Sequence, residues 1–352
     1  MIGTQAKSNL SEELTRIGAL SLDEIYGESF EPFHYERLIW EDSEARPNSI
    51  DWYSKCGAVL SNLQERLSIL KPICDGSTVA AVDTSSRNIG WTSKGTIYAL
   101  RGTITWREGY AYRYLRFGPY LIHVRNTTSN FYDAQSGRVN DYTGPRSELR
   151  NYTPVCRAQN FLERRLQHYI CRSAKDAIVL FDGCLATVTS SDHSALMEIL
   201  EQATINRNNT IAISKDTCLS SLHKGITSLS ENSQSPCLVD MDGLIESAKP
   251  LRLLGRIFVG KLTFGGYGFR IDVDKRLTLR EAVEAVSRLA GNDIMAQGYP
   301  ETLRLAHILS FFTPTEIICL QRFLVKNYGL LPSRTQPLRR MLFGPFGRGE
   351  NA

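Results

Sequence analysis

A chain of 352 residues, 42% hydrophobic and 22% charged, is long enough to bury one large core or two modest ones. Its net charge of +4, from 41 basic and 37 acidic residues, does not by itself signal nucleic acid, because such binding needs a local patch rather than a total. No run approaches the ~20 apolar residues of a membrane span, and the N-terminal MIGTQAKSNLSEELTR lacks the apolar stretch of a signal peptide; a soluble, cytoplasmic protein is expected. The eight cysteines form no C-x-x-C pair, which argues against zinc and for small buried hydrophobes in a reducing compartment.

In chain order, residues 1–47 are polar, with a helix predicted over 11–20. From Asn48 an amphipathic helix is predicted, with Trp52, Tyr53, Cys56, Val59, Leu60, Leu63, Leu67 and Leu70 at steps of three and four. Pro72 and the DGS turn at 75–77 end it. Residues 79–82 read as a buried strand that ends on Asp83. Residues 96–107 and 112–125, rich in β-branched and aromatic side chains, predict two or three antiparallel strands. After a polar stretch, 126–150, comes a helix over 155–173. A second apolar strand, 177–181, also ends on an aspartate, Asp182. A helix over 191–203 leads to a third strand, 210–213, ending at Ser214 and Lys215.

Residues 217–250 read as a Ser-rich loop, and 251–273 as a hairpin around FGGYG at 264–268. Helices are predicted over 277–290, 301–311 and 315–327. The tail from Pro332 carries Arg334, Arg339, Arg340 and Arg348 beside Leu342, Phe343 and Phe346, a pattern suited to docking a partner. Three regions follow: a helical 1–76, a catalytic domain over 77–330 and a basic tail over 331–352. Apolar strands alternating with helices predict an α/β fold with a central sheet covered on both faces. Ligands on such sheets sit at the carboxyl ends of parallel strands, where Asp83 and Asp182 fall.

If those two strands are adjacent and parallel, their carboxylates converge and repel. A divalent cation relieves the repulsion, and hard oxygen ligands suit Mg²⁺ or Mn²⁺. Two such ions about 4 Å apart clamp the attacking and leaving oxygens in phosphodiester hydrolysis. Glu163, in FLERRLQHY, is the candidate third acid, with Glu148 as a substitute. Lys215 is placed to hold a phosphate or stabilise developing charge, and His307 to move a proton. Arg101, Trp106, Arg107, Tyr110, Tyr112, Arg113, Tyr114 and Arg116 interleave charge and ring as a DNA channel does, or as an ordinary sheet face does.

The pieces VAAVDTSS, AIVLFDGCLA, IAISKD, FRIDVD and GYPETLRLAH occur in an order that resembles the NurA nuclease family, over roughly 79–306. The family carries glycine where Thr84 stands here. The resemblance implies an RNase H-like fold, with Asp83, Glu163 and Asp182 as metal-binding acids and Lys215 and His307 as supporting residues. It further implies Mn²⁺-dependent cleavage of single- and double-stranded DNA, by 5′-to-3′ exonuclease and single-strand endonuclease action. It also implies a homodimer that docks on the hexameric HerA helicase-translocase in double-strand break repair.

Two other readings compete. AAVDTSSRNIG resembles the first phosphate loop of an actin-like or sugar-kinase-like ATP-binding domain, but is short of the glycines that let backbone amides approach phosphates. A non-catalytic member of the fold that only binds DNA or a helicase is the second.

Overall fold

The computed structural model describes residues 66–92, 95–125, 154–187, 190–215, 236–242, 252–329 and 331–332. The helix expected over 11–20, nearly all of that expected from Asn48, the stretch 126–150 with Glu148, and the tail from 333 lie outside them. The end of the second expected helix is instead a strand, β1 (Leu67–Ile69), paired antiparallel with β8 (Cys237–Asp240). Pro72 disfavours helix in the residue before it, and β8 offers this segment a partner through Leu67↔Val239 and Ile69↔Cys237. β8 itself falls within the stretch read as loop. Its apolar CLV was hidden by Ser-rich surroundings.

The chain divides into two compact units. The first is built from segments within Met1–Asp83, Gly102–Phe117 and Phe161–Ser310, the second from Thr84–Arg101, Gly118–Asn160 and Phe311–Ala352. Among the described residues, ten strands share one mixed sheet. β2 (Val79–Thr92), β3 (Gly95–Glu108) and β4 (Ala111–Arg125) are neighbours joined by two-residue links. Links that short permit only antiparallel pairing. β5 (Ile178–Asp182) lies parallel to β2 and β7 (Asn209–Ser214) parallel to β5. The order β4-β3-β2-β5-β7 is a meander of three followed by two crossovers beyond its first strand, the RNase H-like arrangement. β11 (Gly268–Asp274) and β10 (Gly255–Lys261), the expected hairpin, continue the sheet from β7 in antiparallel register.

Period-two alternation sorts the core of the first unit. Val79, Ala81, Ile178, Leu180, Ile211, Ile213, Ile271 and Val273 pack on one face, with Ala282, Val286 and Leu289 of α3 (Leu279–Asn292) and Leu303 and Ala306 of α4 (Glu301–Ser310). Val179 and Phe181 point the other way and are as deeply buried. α1 (Pro154–Ser173) and α2 (Ser190–Ile205) present Leu162, Leu166, Ile170, Leu196 and Leu200, all buried. Thr278 opens α3 with a reciprocal capping box to Glu281.

In the second unit, Ile89, Ala99 and Leu324 are buried together, packed by Ile97, Phe312, Ile317 and Leu320. Leu324 belongs to α5 (Pro314–Tyr328), capped by Thr313 and closed by Gly329. Arg101 donates to both carboxylate oxygens of Glu316, at 2.9 and 3.1 Å. A 28-residue stretch, Glu301–Tyr328, is apolar and long enough by composition to cross a membrane. It is two helices, however: α4 ends at Ser310, and α5 restarts under its own capping box.

A further sequence expectation needs correcting. The first apolar strand does not end on Asp83. β2 runs nine residues further, through TSSRNIGWT. The register with β5 stops at Val82↔Phe181, while β3 remains beside β2. Asp83 therefore stands in mid-strand where one neighbour leaves off, and backbone pairing rather than side-chain polarity decides the continuation.

Candidate metal centre

The register of β2 on β5 places Asp83 one step beyond Val82↔Phe181, beside Asp182. The same parallel arrangement sets Asp182 opposite Ile213 of β7, so Lys215 follows two residues later at the same sheet end. His307 and Ser310 share a face of α4 at helical spacing. Asp293 fixes that helix. Its carboxylate accepts from the Thr302 backbone N–H at 3.0 Å and from the Tyr112 hydroxyl at 2.6 Å. Burial pushes the Asp293 carboxyl up, against the pull of those donors. Thr105 of β3 adds a bond to the Thr302 carbonyl at 2.7 Å.

His307 Nδ1 lies 2.9 Å from Asp83 Oδ2 and 3.6 Å from Asp182 Oδ2. Lys215 Nζ donates to Asp182 Oδ2 at 2.8 Å, and Ser310 Oγ to Asp83 Oδ2 at 2.9 Å. Asp83 is buried, Asp182 and His307 half-buried. One ligand atom from each of Asp83, Asp182 and His307 falls within 4.8 Å of the others, the one such cluster of acidic, histidine or cysteine side chains among the described residues.

Two carboxylates and an imidazole are the donor set of a divalent cation. With a proton on Nδ1, His307 donates to Asp83; without it the same nitrogen is a ligand atom. Lys215 supplies compensating positive charge, which an isolated pair of acids would lack. A further mark of fit is Tyr299, whose buried hydroxyl has no hydrogen-bond partner among the described residues. Burial raises its titration first, and the charges of Asp182 and Asp83 raise it further, which places the phenol in the field of the acid pair. The residues present fit the ion.

The structure thus gathers Asp83, Asp182, Lys215 and His307. Glu163, on α1, accepts from Gln167 Nε2 at 3.0 Å and is not one of the three residues whose ligand atoms fall within 4.8 Å. Sequence reasoning missed two residues. Tyr299 lies inside the quoted GYPETLRLAH, and Ser310 is three residues past His307, on the same face of α4. Of the basic and aromatic set on β3 and β4, Trp106 is buried and Arg101 is engaged with Glu316. Arg107 donates to the Asn292 carbonyl. Tyr110, Arg113, Tyr114 and Arg116 are exposed.

Fold and site together define an α/β protein with a cluster of two acids and a histidine, a candidate cation site, at the carboxyl ends of adjacent parallel strands. No protein-family model matches the chain, and no curated protein does. Among solved structures it is similar to the NurA nuclease of Sulfolobus solfataricus, at 16% identity over 76% of this chain and 90% of that one, with a TM-score of 0.49. A second NurA structure is 10% identical over 77% and 93%, at 0.46. Endonuclease V of Streptomyces avermitilis is 13% identical over 72% and 90%, at 0.32.

Proposed function

We propose that this protein is a divalent-metal-dependent nuclease that hydrolyses phosphodiester bonds in DNA. The observation that carries the reading is the convergence of Asp83 and Asp182, from neighbouring parallel strands, on His307 Nδ1. Asp83, Asp182 and His307 would hold the ion, Mn²⁺ or Mg²⁺. When bound, the ion supplies a nucleophilic hydroxide at neutral pH and charge for the phosphoryl oxygens.

The chain's own groups do the rest. Ser310 holds one oxygen of Asp83 and so fixes the carboxylate plane. Lys215, whose ammonium donates to Asp182 at 2.8 Å, would offer the same charge to a phosphate oxygen. The unpartnered Tyr299 hydroxyl is a donor already desolvated for the same task. Glu163, whose carboxylate accepts from Gln167, is kept as the proposed third acid of a two-ion site.

The sequence resemblance carries the proposal to its finer form: 5′-to-3′ exonuclease and single-strand endonuclease action by a cytoplasmic homodimer, with HerA as partner in double-strand break repair. It also supplies the proposed regions: a helical 1–76, a nuclease domain over 77–330 and a tail over 331–352 that faces the helicase.

The test is cleavage of end-labelled single- and double-stranded DNA with Mn²⁺, Mg²⁺ or EDTA, by wild type, Asp83→Asn and Asp182→Asn. Metal-dependent products, lost in both variants, are expected. Undiminished cleavage by both variants would remove the site from the mechanism, and ATP hydrolysis without cleavage would favour the ATP-binding reading.

A further inference from the structure

Beside the acid pair an open cleft of about 200 Å³ is lined by Lys215, Tyr267, Phe269, Gln297, Arg304 and His307, with Tyr299 at its floor. Its lining carries three aromatic rings and three basic side chains. Phe269 and Tyr299 meet edge to face, with centroids 5.4 Å apart. Lys215 Nζ stands 5.3 Å from the Tyr299 ring centre. The Arg304 guanidinium is held by Glu301 through two bonds of 2.6 Å, so its plane is fixed although it remains half exposed.

Tyr267 is the exposed wall. It is 62% exposed, yet its backbone is clamped. The Tyr267 N–H donates to the Gln297 carbonyl at 2.9 Å, and Gly266 before it lies so close that a Cβ would stand 2.9 Å from that same oxygen. Two turns are thus fastened together, and an apolar ring is presented to solvent on a rigid base. Burying neither the ring nor its backbone polarity explains that construction. A flat apolar ligand does.

We infer that this cleft is a subsite for one unpaired nucleobase, stacked on Tyr267, next to the phosphodiester to be cut. The inference rests on the nuclease reading for what lies next door. The size sets the ligand: the cleft is below the roughly 300–1,000 Å³ of pockets that enclose drug-sized molecules, so it takes one ring system and not a base pair. The chemistry sets its class. Every base offers a π-face to an aromatic ring, and Arg304, Lys215 and His307 lie within reach of the flanking phosphates. Double-stranded ends therefore enter only as far as their terminal pair is opened. Stacking selects for an unpaired base without selecting which base.

The experiment uses the full chain and a single-stranded oligonucleotide carrying the fluorescent base 2-aminopurine, placed in turn at the 5′ and the 3′ terminus. Binding is followed in EDTA and again in Ca²⁺, so that stacking is read apart from cleavage. Wild type should quench the fluorescence from at least one terminus. Tyr267→Ala should lose the quench and bind roughly 5- to 150-fold more weakly, the range that stacking of one base supports, while Tyr267→Phe keeps both. An oligonucleotide abasic at that terminus should bind wild type and Tyr267→Ala alike. Unfolding temperatures should not differ, since the ring is largely exposed. A quench that survives in Tyr267→Ala, or none with wild type at either terminus, overturns the inference. Stacking retained in a protein that does not cleave DNA would sink only the nuclease reading, and cleavage without stacking only this one.

Discussion

Asp272 offers a sharp test of how the site is held, because it is wholly buried and paired with Arg270. Arg270 donates Nε to Asp272 Oδ1 at 2.7 Å and a terminal nitrogen to Oδ2 at 2.8 Å. The Leu185 N–H donates to the same Oδ2 at 3.1 Å. Leu185 lies three residues after Asp182, so this bond ties down the loop that leaves the candidate metal centre. Burial pushes the Asp272 carboxyl up, and the guanidinium pulls against it. Asp272→Ala removes both charge-assisted bonds to a buried guanidinium and the acceptor of a buried N–H, a loss of about 3–5 kcal/mol. At about 2–4 °C per kcal/mol, the unfolding temperature should fall by roughly 6–20 °C. Arg270→Met with Asp272→Leu should recover most of that, because a buried ion pair contributes little over apolar packing. The assay is urea and thermal denaturation of all three proteins. A single variant within about 1 kcal/mol of wild type, or a double variant no better than the single one, would refute the reasoning.

Gly291 lies in α3, where alanine normally stabilises by about 1 kcal/mol. Here a Cβ would collide with the Ile73 backbone, which the Ile73 N–H bond to the Ser287 carbonyl holds in place at 3.0 Å. Gly291→Ala should therefore destabilise by about 1–3 kcal/mol in urea unfolding; a rise in stability would contradict the close approach. In the second unit the Arg101 hydrogen bond and charge hold Glu316 down to about 2 from an ordinary 4.5. A depressed folded-state pKa gives stability that is complete above pH 4.5 and is lost as pH falls toward 2. Arg101→Ala should flatten that acid limb in urea midpoints taken across this range; an unchanged limb would separate Glu316 from it.

The sequence exposes those parts of the fold that backbone and side chain decide together. The strands at 178–182 and 209–214 are apolar runs between helices, and their acidic or polar ends mark one edge of the sheet. That edge is where Asp83, Asp182 and Lys215 meet. What the sequence hides is decided by partners distant in the chain. TSSR within β2 looks like a loop because its polarity is local, whereas its hydrogen bonds go to a neighbouring strand. Leu67 and Leu70 fit a helical stripe, yet β8, some 170 residues on, takes that segment as a strand. Ser310 and Tyr299 become visible only once α4 is seated against the acid pair, since neither a serine nor a tyrosine marks a metal centre alone.

The claim at the centre is that Asp83 and Asp182 hold a divalent cation together. Calorimetric titration of metal-stripped protein with Mn²⁺, paired with unfolding in excess ion, tests it without any appeal to DNA. Wild type should bind Mn²⁺ and gain about 2.7 kcal/mol of stability at a hundredfold excess over Kd, and Asp83→Asn and Asp182→Asn should each lose both the binding heat and the gain. Binding of equal strength in both variants would contradict the account.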